Sequence, residues 1–116
     1  MKGKAMITLT SLTSVEKFID EHPLSFLYVS RTNCSVCHAL LPQVKDLLKE
    51  LPLIQLGHIN ADDVEEIAGR LSIFTVPALL LFVDGKEILR EARFVQMQAL
   101  HEKISKVYQM VVTESE

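Results

Sequence analysis

Between Leu24 and Ser30 the chain reads Leu-Ser-Phe-Leu-Tyr-Val-Ser, with four large apolar or aromatic side chains in a row at Phe26, Leu27, Tyr28 and Val29. A strand with one face in water alternates apolar with polar residues. A run this continuous instead reads as a strand covered on both faces. Covering both faces of a sheet takes elements on each side, and the rest of the chain supplies helical patterns on either flank of the run.

Thr13-Ser14-Val15-Glu16 matches a capping box, and Val15, Phe18 and Ile19 recur at helical spacing, so a helix to about Glu21 precedes the run and His22-Pro23 ends it. Ala5 to Leu9 forms a short edge strand before that helix. After the run, Leu40, Leu41, Val44, Leu47 and Leu48 mark the apolar side of a helix from about Cys34 to Leu51. Pro42 lies inside it and should kink it, because proline removes a hydrogen bond and crowds the preceding turn. Leu53 to Ile59 reads as a strand, Asp63 to Leu71 as a helix whose acidic first turn suits its dipole, and Ala78 to Val83 as a third dense strand. Asp84-Gly85 is a hairpin signal, with Glu87 to Ala92 returning. Met97, Leu100, Ile104 and Val107 form a stripe on a helix from Gln96 to Met110 that packs on the sheet, and Val111 to Glu116 reads as a frayed tail. The order β-α-β-α-β-α-β-β-α predicts an α/β fold with a mixed central sheet and helices on both faces. The whole chain, 1–116, reads as one domain with its core at about 5–110 and a flexible tail at 111–116.

The only two cysteines stand three apart, in Cys34-Ser35-Val36-Cys37, just beyond the buried strand. On a helix, residues i and i+3 share a face, which brings the sulfurs near the roughly 5 to 6 Å Cα separation of a disulfide. At a helix N-terminus, free N–H groups and the macrodipole also favour the thiolate and can pull its pKa below the usual value of about 8.5. Three other chemistries suit such a pair. Structural zinc needs two further ligands, and His22, His38, His58 and His101 include no His-x3-5-His pair. Haem attachment fits the letters, since Cys34-Ser35-Val36-Cys37-His38 satisfies Cys-x-x-Cys-His. That attachment normally follows export, and the first ten residues lack the apolar core of an export signal. The third alternative is two buried structural cysteines.

Composition narrows the setting. At 48% hydrophobic and 23% charged residues, 116 residues support one core of reasonable size. Twelve basic residues against fifteen acidic, a net charge of −3 and no basic cluster argue against a nucleic-acid partner. No run of eighteen apolar residues suggests a membrane span. Without an export signal the expected home is the reducing cytoplasm, where a cysteine pair is more often catalytic or metal-binding than a structural staple.

Several separated landmarks together resemble the thioredoxin fold. They are the buried strand leading into Cys34-Ser35-Val36-Cys37, Pro42 eight residues after the first cysteine, Val76-Pro77 opening an apolar strand, and Asp84-Gly85 after Leu79-Leu80-Leu81-Phe82. The resemblance covers about residues 5 to 110. It implies thiol-disulfide exchange without a cofactor or metal, with Cys34 as the attacking thiolate and Cys37 as the resolving thiol. It implies a cis Val76-Pro77 bond facing the cysteines, where an X-Pro bond on sequence grounds alone is cis only a few per cent of the time. It also implies that the backbone of Val76 pairs with the extended chain of a bound partner. The partners expected are disulfides of proteins or small thiols, with a thioredoxin reductase as a donor, and the protein is expected to be monomeric.

The chain departs from the thioredoxin pattern at identifiable positions. Asn33-Cys34-Ser35-Val36-Cys37 stands where thioredoxins have Trp-Cys-Gly-Pro-Cys, removing an aromatic shield and changing the residues that tune redox poise. Tyr28 replaces a buried acid that helps move the proton of the second cysteine; a phenol with pKa about 10 is a poor base, so Tyr28 is expected in the core with its hydroxyl hydrogen-bonded. Arg93 stands near the groove where thioredoxins have glycine. Its charge would stabilise the thiolate or select acidic partners, or it is an ordinary solvated arginine. His58 occupies the place of a lysine beside the missing acid, which suggests either proton transfer to Cys37 or a structural, hydrogen-bonded histidine. Two functions follow: a thiol-disulfide oxidoreductase contributing to cell redox homeostasis, or a thioredoxin-like binding module that keeps the groove but turns over little.

Overall fold

The computed structural model describes residues 5–115, so Met1–Lys4, part of the N-terminal stretch read for an export signal, and the terminal Glu116 of the expected tail lie outside the described residues. Nine elements follow in the expected order. They are β1 (Met6–Leu9), α1 (Leu12–Glu21), β2 (Leu24–Ser30), α2 (Ser35–Lys49), β3 (Gln55–Asn60), α3 (Ile67–Leu71), β4 (Ala78–Val83), β5 (Lys86–Ala92) and α4 (Met97–Ser115). Every residue of β2 is buried, as its unbroken apolar run predicts. It occupies the middle of a five-stranded sheet ordered β1-β3-β2-β4-β5. The sheet is mixed: β2 runs parallel to β3 and antiparallel to β4, β1 is parallel to β3, and β4 and β5 form an antiparallel hairpin.

Alternation along the strands sends two separate sets of side chains to the two faces. Phe26, Tyr28, Leu56, Leu79 and Leu81 pack beneath Leu40, Val44, Leu47 and Leu48 of α2 and Leu100 and Ile104 of α4. On the opposite face Leu27, Val29, Ile59, Leu80 and Phe82 meet Val15 and Phe18 of α1 and Ile67 of α3. Gly57 lies on this second face. A Cβ there would come within 2.8 Å of Leu9 Cδ1 and 3.0 Å of the Phe18 ring, so the absence of a side chain lets α1 sit close to the sheet. At the β4–β5 turn Asp84 and Gly85 both adopt positive φ, the geometry their sequence signals.

Four details differ from expectation. Helix α1 is capped two residues earlier than Thr13, by Ser11. The Ser14 amide donates to Ser11 Oγ and the Ser11 amide to Ser14 Oγ, both at 3.1 Å, so a serine does the reciprocal work expected of Glu16. Glu16 instead accepts from Arg70 at 2.7 Å. The helix expected over Asp63 to Leu71 shrinks to Ile67–Leu71, because the segment before it winds in tighter three-residue turns such as Ile67 N–H to the Val64 carbonyl. Strand β3 begins at Gln55, since Leu51 to Ile54 form a turn closed by the Ile54 amide on the Leu51 carbonyl. Finally, α4 continues through Ser115 where a frayed tail from Val111 was expected. Tyr108 and Val111 extend its apolar stripe onto the core, and the Tyr108 hydroxyl accepts from the Leu53 amide. Pro42 stands inside α2 as expected, and having no N–H it leaves the His38 carbonyl without its usual helical donor.

Candidate active site

The mixed topology gathers one end of the sheet. Parallel pairing places Ser30, the last residue of β2, beside Asn60, the last of β3, and the Ala61 amide donates to the Ser30 carbonyl at 2.8 Å. Antiparallel pairing of Val29 with Ala78 brings the start of β4 to the same end, with Pro77 just beyond that pair. Ala78 in turn pairs with Ala92, and the Arg93 amide donates to the Pro77 carbonyl at 3.0 Å. The loop to the cysteines leaves from this end.

That loop is held from below. The Asp62 carboxylate accepts from the Thr32 amide at 2.9 Å and from Arg31 Nη1 at 2.8 Å, and Asn60 Nδ2 donates to Thr32 Oγ1 at 3.0 Å. The Thr32 amide above all, then Arg31, holds the Asp62 carboxyl below its ordinary pKa. His38 Nε2 lies 2.9 Å from the Thr32 carbonyl and ties the first turn of α2 back to the same loop. Of these contacts only the polarity of the Asn60 to Asp63 stretch was visible in the sequence.

Cys34 is the N-cap of α2, in extended backbone conformation, and the Cys37 amide donates to its Sγ at 3.2 Å. A side-chain atom that caps a helix in this way receives a backbone donor and the positive end of the macrodipole together, and both favour a thiolate at that sulfur. The two sulfurs are joined in a disulfide, with the Cα atoms 5.2 Å apart. Cys34 is partly exposed and Cys37 fully buried, so the first sulfur faces solvent and the second faces the core. Among the described residues no group of three or more His, Cys, Asp or Glu side chains is placed to hold a metal ion.

Beneath Cys37, Tyr28 is completely buried and its hydroxyl donates to the Cys37 carbonyl. Burial pushes its pKa up to about 12, so the phenol remains a donor through the neutral range and is no base. His58 pairs in register with Tyr28 on the neighbouring strand, their ring centroids 6.1 Å apart, and its Nε2 lies 2.7 Å from the hydroxyl of buried Ser30. Burial first, and the nearby His38 second, lower the His58 pKa from its ordinary 6.5, which leaves the ring neutral at pH 7. Nothing local to Ser30 in the sequence marks it for this role. Only the parallel register that sets residue 30 beside 60, with 58 diagonal to it on the same face, brings the hydroxyl and the ring together.

On the other side of the cysteines, Val76-Pro77 is a cis peptide bond, and Val76 and Cys34 both pack against the core cluster that contains Cys37. Arg93 adopts φ +68, a left-handed conformation that costs a residue with a Cβ about 1–2 kcal/mol and glycine none. Its guanidinium lies 5.9 Å from the centroid of the Phe94 ring. Val36, between the cysteines, is exposed, and so are Phe74 and Phe94, each close to 90% accessible.

The thioredoxin family model matches residues 7–107. The chain is 58% identical over 107 residues to the thioredoxin-like protein YdfQ of Bacillus subtilis, an alignment that covers 92% of this chain and 96% of that one. Among solved structures, thioredoxin from Fasciola hepatica superposes with a TM-score of 0.79 at 28% identity, over 87% of this chain and 98% of that one. Thioredoxin from Trypanosoma brucei brucei shares the fold at TM-score 0.83 and 15% identity, over 93% and 95% of the two chains. With a Cys34–Cys37 disulfide at the start of α2 and a cis Val76-Pro77 bond leading into β4 on that same fold, the chain belongs to the thioredoxin family and is a thiol-disulfide oxidoreductase.

Proposed function

We propose that Cys34 is the attacking sulfur and Cys37 the resolving one, in a reaction that reduces disulfides of proteins or small thiols. The Cys34 thiolate attacks one sulfur of the partner disulfide; that bond breaks, and the partner's other sulfur leaves as a thiolate. Cys37 then loses its proton and attacks Cys34 Sγ, expelling the partner's second thiolate. The partner gains two electrons, and this chain is left with the Cys34–Cys37 disulfide. A dithiol donor of the thioredoxin reductase kind restores the pair.

The observation that carries this assignment is the Cys37 amide on Cys34 Sγ, which puts the stabilised, accessible sulfur first in order of attack and leaves the buried one to close the ring. In the same reading the backbone of Val76, ahead of Pro77, pairs with the partner's extended chain, and Arg93 borders that groove. His58 takes the Cys37 proton: Tyr28 cannot, and a histidine neutral at pH 7 has a free lone pair. We place the protein in the cytoplasm as a monomeric, single-domain contributor to cell redox homeostasis. No helix among the described residues is long and apolar enough to cross a membrane.

Two variants test the order of attack. Cys37→Ser should trap partners as mixed disulfides on Cys34, and Cys34→Ser should abolish both trapping and turnover. Trapping that persists in Cys34→Ser would reverse the roles. His58→Gln should slow the resolving step while leaving the first attack unchanged; equal resolution rates would remove His58 from the mechanism.

A further inference from the structure

We infer that Arg93, steadied over the Phe94 ring, makes this groove select protein disulfides whose flanking chain carries an acidic side chain beside the cystine. The inference rests on the reading above, in which the partner's chain lies along Val76.

Three observations carry it. First, the Arg93 amide is bonded to the Pro77 carbonyl, which sets this residue, just past the end of β5, directly beside the Val76-Pro77 segment. Second, its backbone sits at φ +68, where glycine is free of strain and arginine is not. An unfavourable conformation retained at the edge of a binding groove points to use of the side chain there. Third, its charge is uncompensated. The neighbouring cations are neutralised: Arg90 by Glu87 at 2.7 Å and Lys103 by Glu91 at 2.9 Å. On the far side of the cysteine loop Arg31 is paired with Asp62 at 2.8 Å. Arg93 forms no ion pair among the described residues, and its guanidinium lies over the face of Phe94. Stacking on an exposed aromatic ring restricts the guanidinium without consuming its donors, which stay available to a carboxylate. The chain as a whole is acidic, so Arg93 offers a local positive point in a field that otherwise repels acidic partners.

The test uses the reduced full-length protein and two cyclic peptides, each closed by one disulfide and differing only in an Asp or a Lys beside the cystine. Single-turnover rate constants for each are divided by the rate on neutral bis(2-hydroxyethyl) disulfide, so that any general effect of Arg93 on Cys34 reactivity cancels. The wild type should favour the Asp peptide by about three- to tenfold at low salt, and the preference should shrink towards unity at about 1 M salt. Arg93→Lys should keep part of the preference, Arg93→Gly should erase it, and Arg93→Glu should invert it. Phe94→Ala should weaken it, because the guanidinium is no longer held. Equal rates on the two peptides, in a protein that reduces the neutral disulfide, would overturn the selectivity alone, as would a preference indifferent to Arg93→Glu. Failure to reduce any of the three disulfides would overturn the exchange reading itself.

Discussion

The two faces of the sheet are built from the same strands and do different work. The face under α1 and α3 is almost uniformly apolar: Leu9, Val15, Phe18, Leu27, Val29, Ile59, Leu80 and Phe82 close on one another, and its one buried hydroxyl, Ser25, donates to the His22 carbonyl. The face under α2 and α4 is equally dense at its centre but turns polar towards the cysteine end, where Tyr28 donates to the Cys37 carbonyl and Ser30 bonds with His58. All three polar groups are satisfied, and no buried side-chain polar atom among the described residues lacks a partner. A polar group costs least in a core when its partner is fixed by backbone geometry, and here strand register and the helix start supply those partners. Both apolar centres therefore contribute to stability, and the polar end that borders the cysteines belongs to one face alone.

The contrast can be broken most sharply on the apolar face. Leu80→Ala removes a fully buried side chain there and should lower unfolding stability by about 2–5 kcal/mol, measured by urea denaturation, with the exchange rate of the folded protein unchanged. Gly57→Ala should cost about 1–2 kcal/mol on the same face, through the 2.8 Å approach to Leu9 and the close Phe18 ring, again without touching exchange. On the other face the effects should dissociate differently. Tyr28→Phe deletes only the donor to the Cys37 carbonyl; it should cost about 1 kcal/mol and yet alter the reactivity of Cys37, read by the rate of mixed-disulfide resolution.

The smallest expected change concerns pH. Because His58 has a folded-state pKa below 6.5, the unfolded chain binds more protons as the pH falls past that value, so the folded state should lose stability from about pH 6.5 downward. His58→Gln should flatten that part of the stability profile. An identical acid limb in the variant would place the ring in a solvated rather than a buried setting.

Much of this contrast was legible in the sequence, and the gaps have physical causes. The unbroken Phe26-Leu27-Tyr28-Val29 run marked β2 as covered on both faces, since a strand with one face in water alternates, and Asp84-Gly85 located the β4–β5 hairpin. The Cys34–Cys37 pair marked the site because its chemistry is local to four letters, whereas Pro77 was assigned to it only through the resemblance to thioredoxins. What could not be read depended on register or on three-dimensional approach. Ser30 and His58 are twenty-eight residues apart and meet only through parallel pairing. The Ser11 cap was missed because a hydroxyl at Ser14 replaced the expected carboxylate, and the last turns of α4 because Tyr108 and Val111 continue a stripe that was followed only to Val107.

The segments that share the thiols' end of the sheet come late in the chain's own length. Cys37 precedes Pro77 by forty residues and Arg93 by fifty-six; antiparallel pairing of β4 onto β2 brings Pro77 back, and pairing of β5 onto β4 brings back Arg93. A nascent chain that has emerged only as far as β3 thus carries both sulfurs but neither the cis Val76-Pro77 bond nor Arg93.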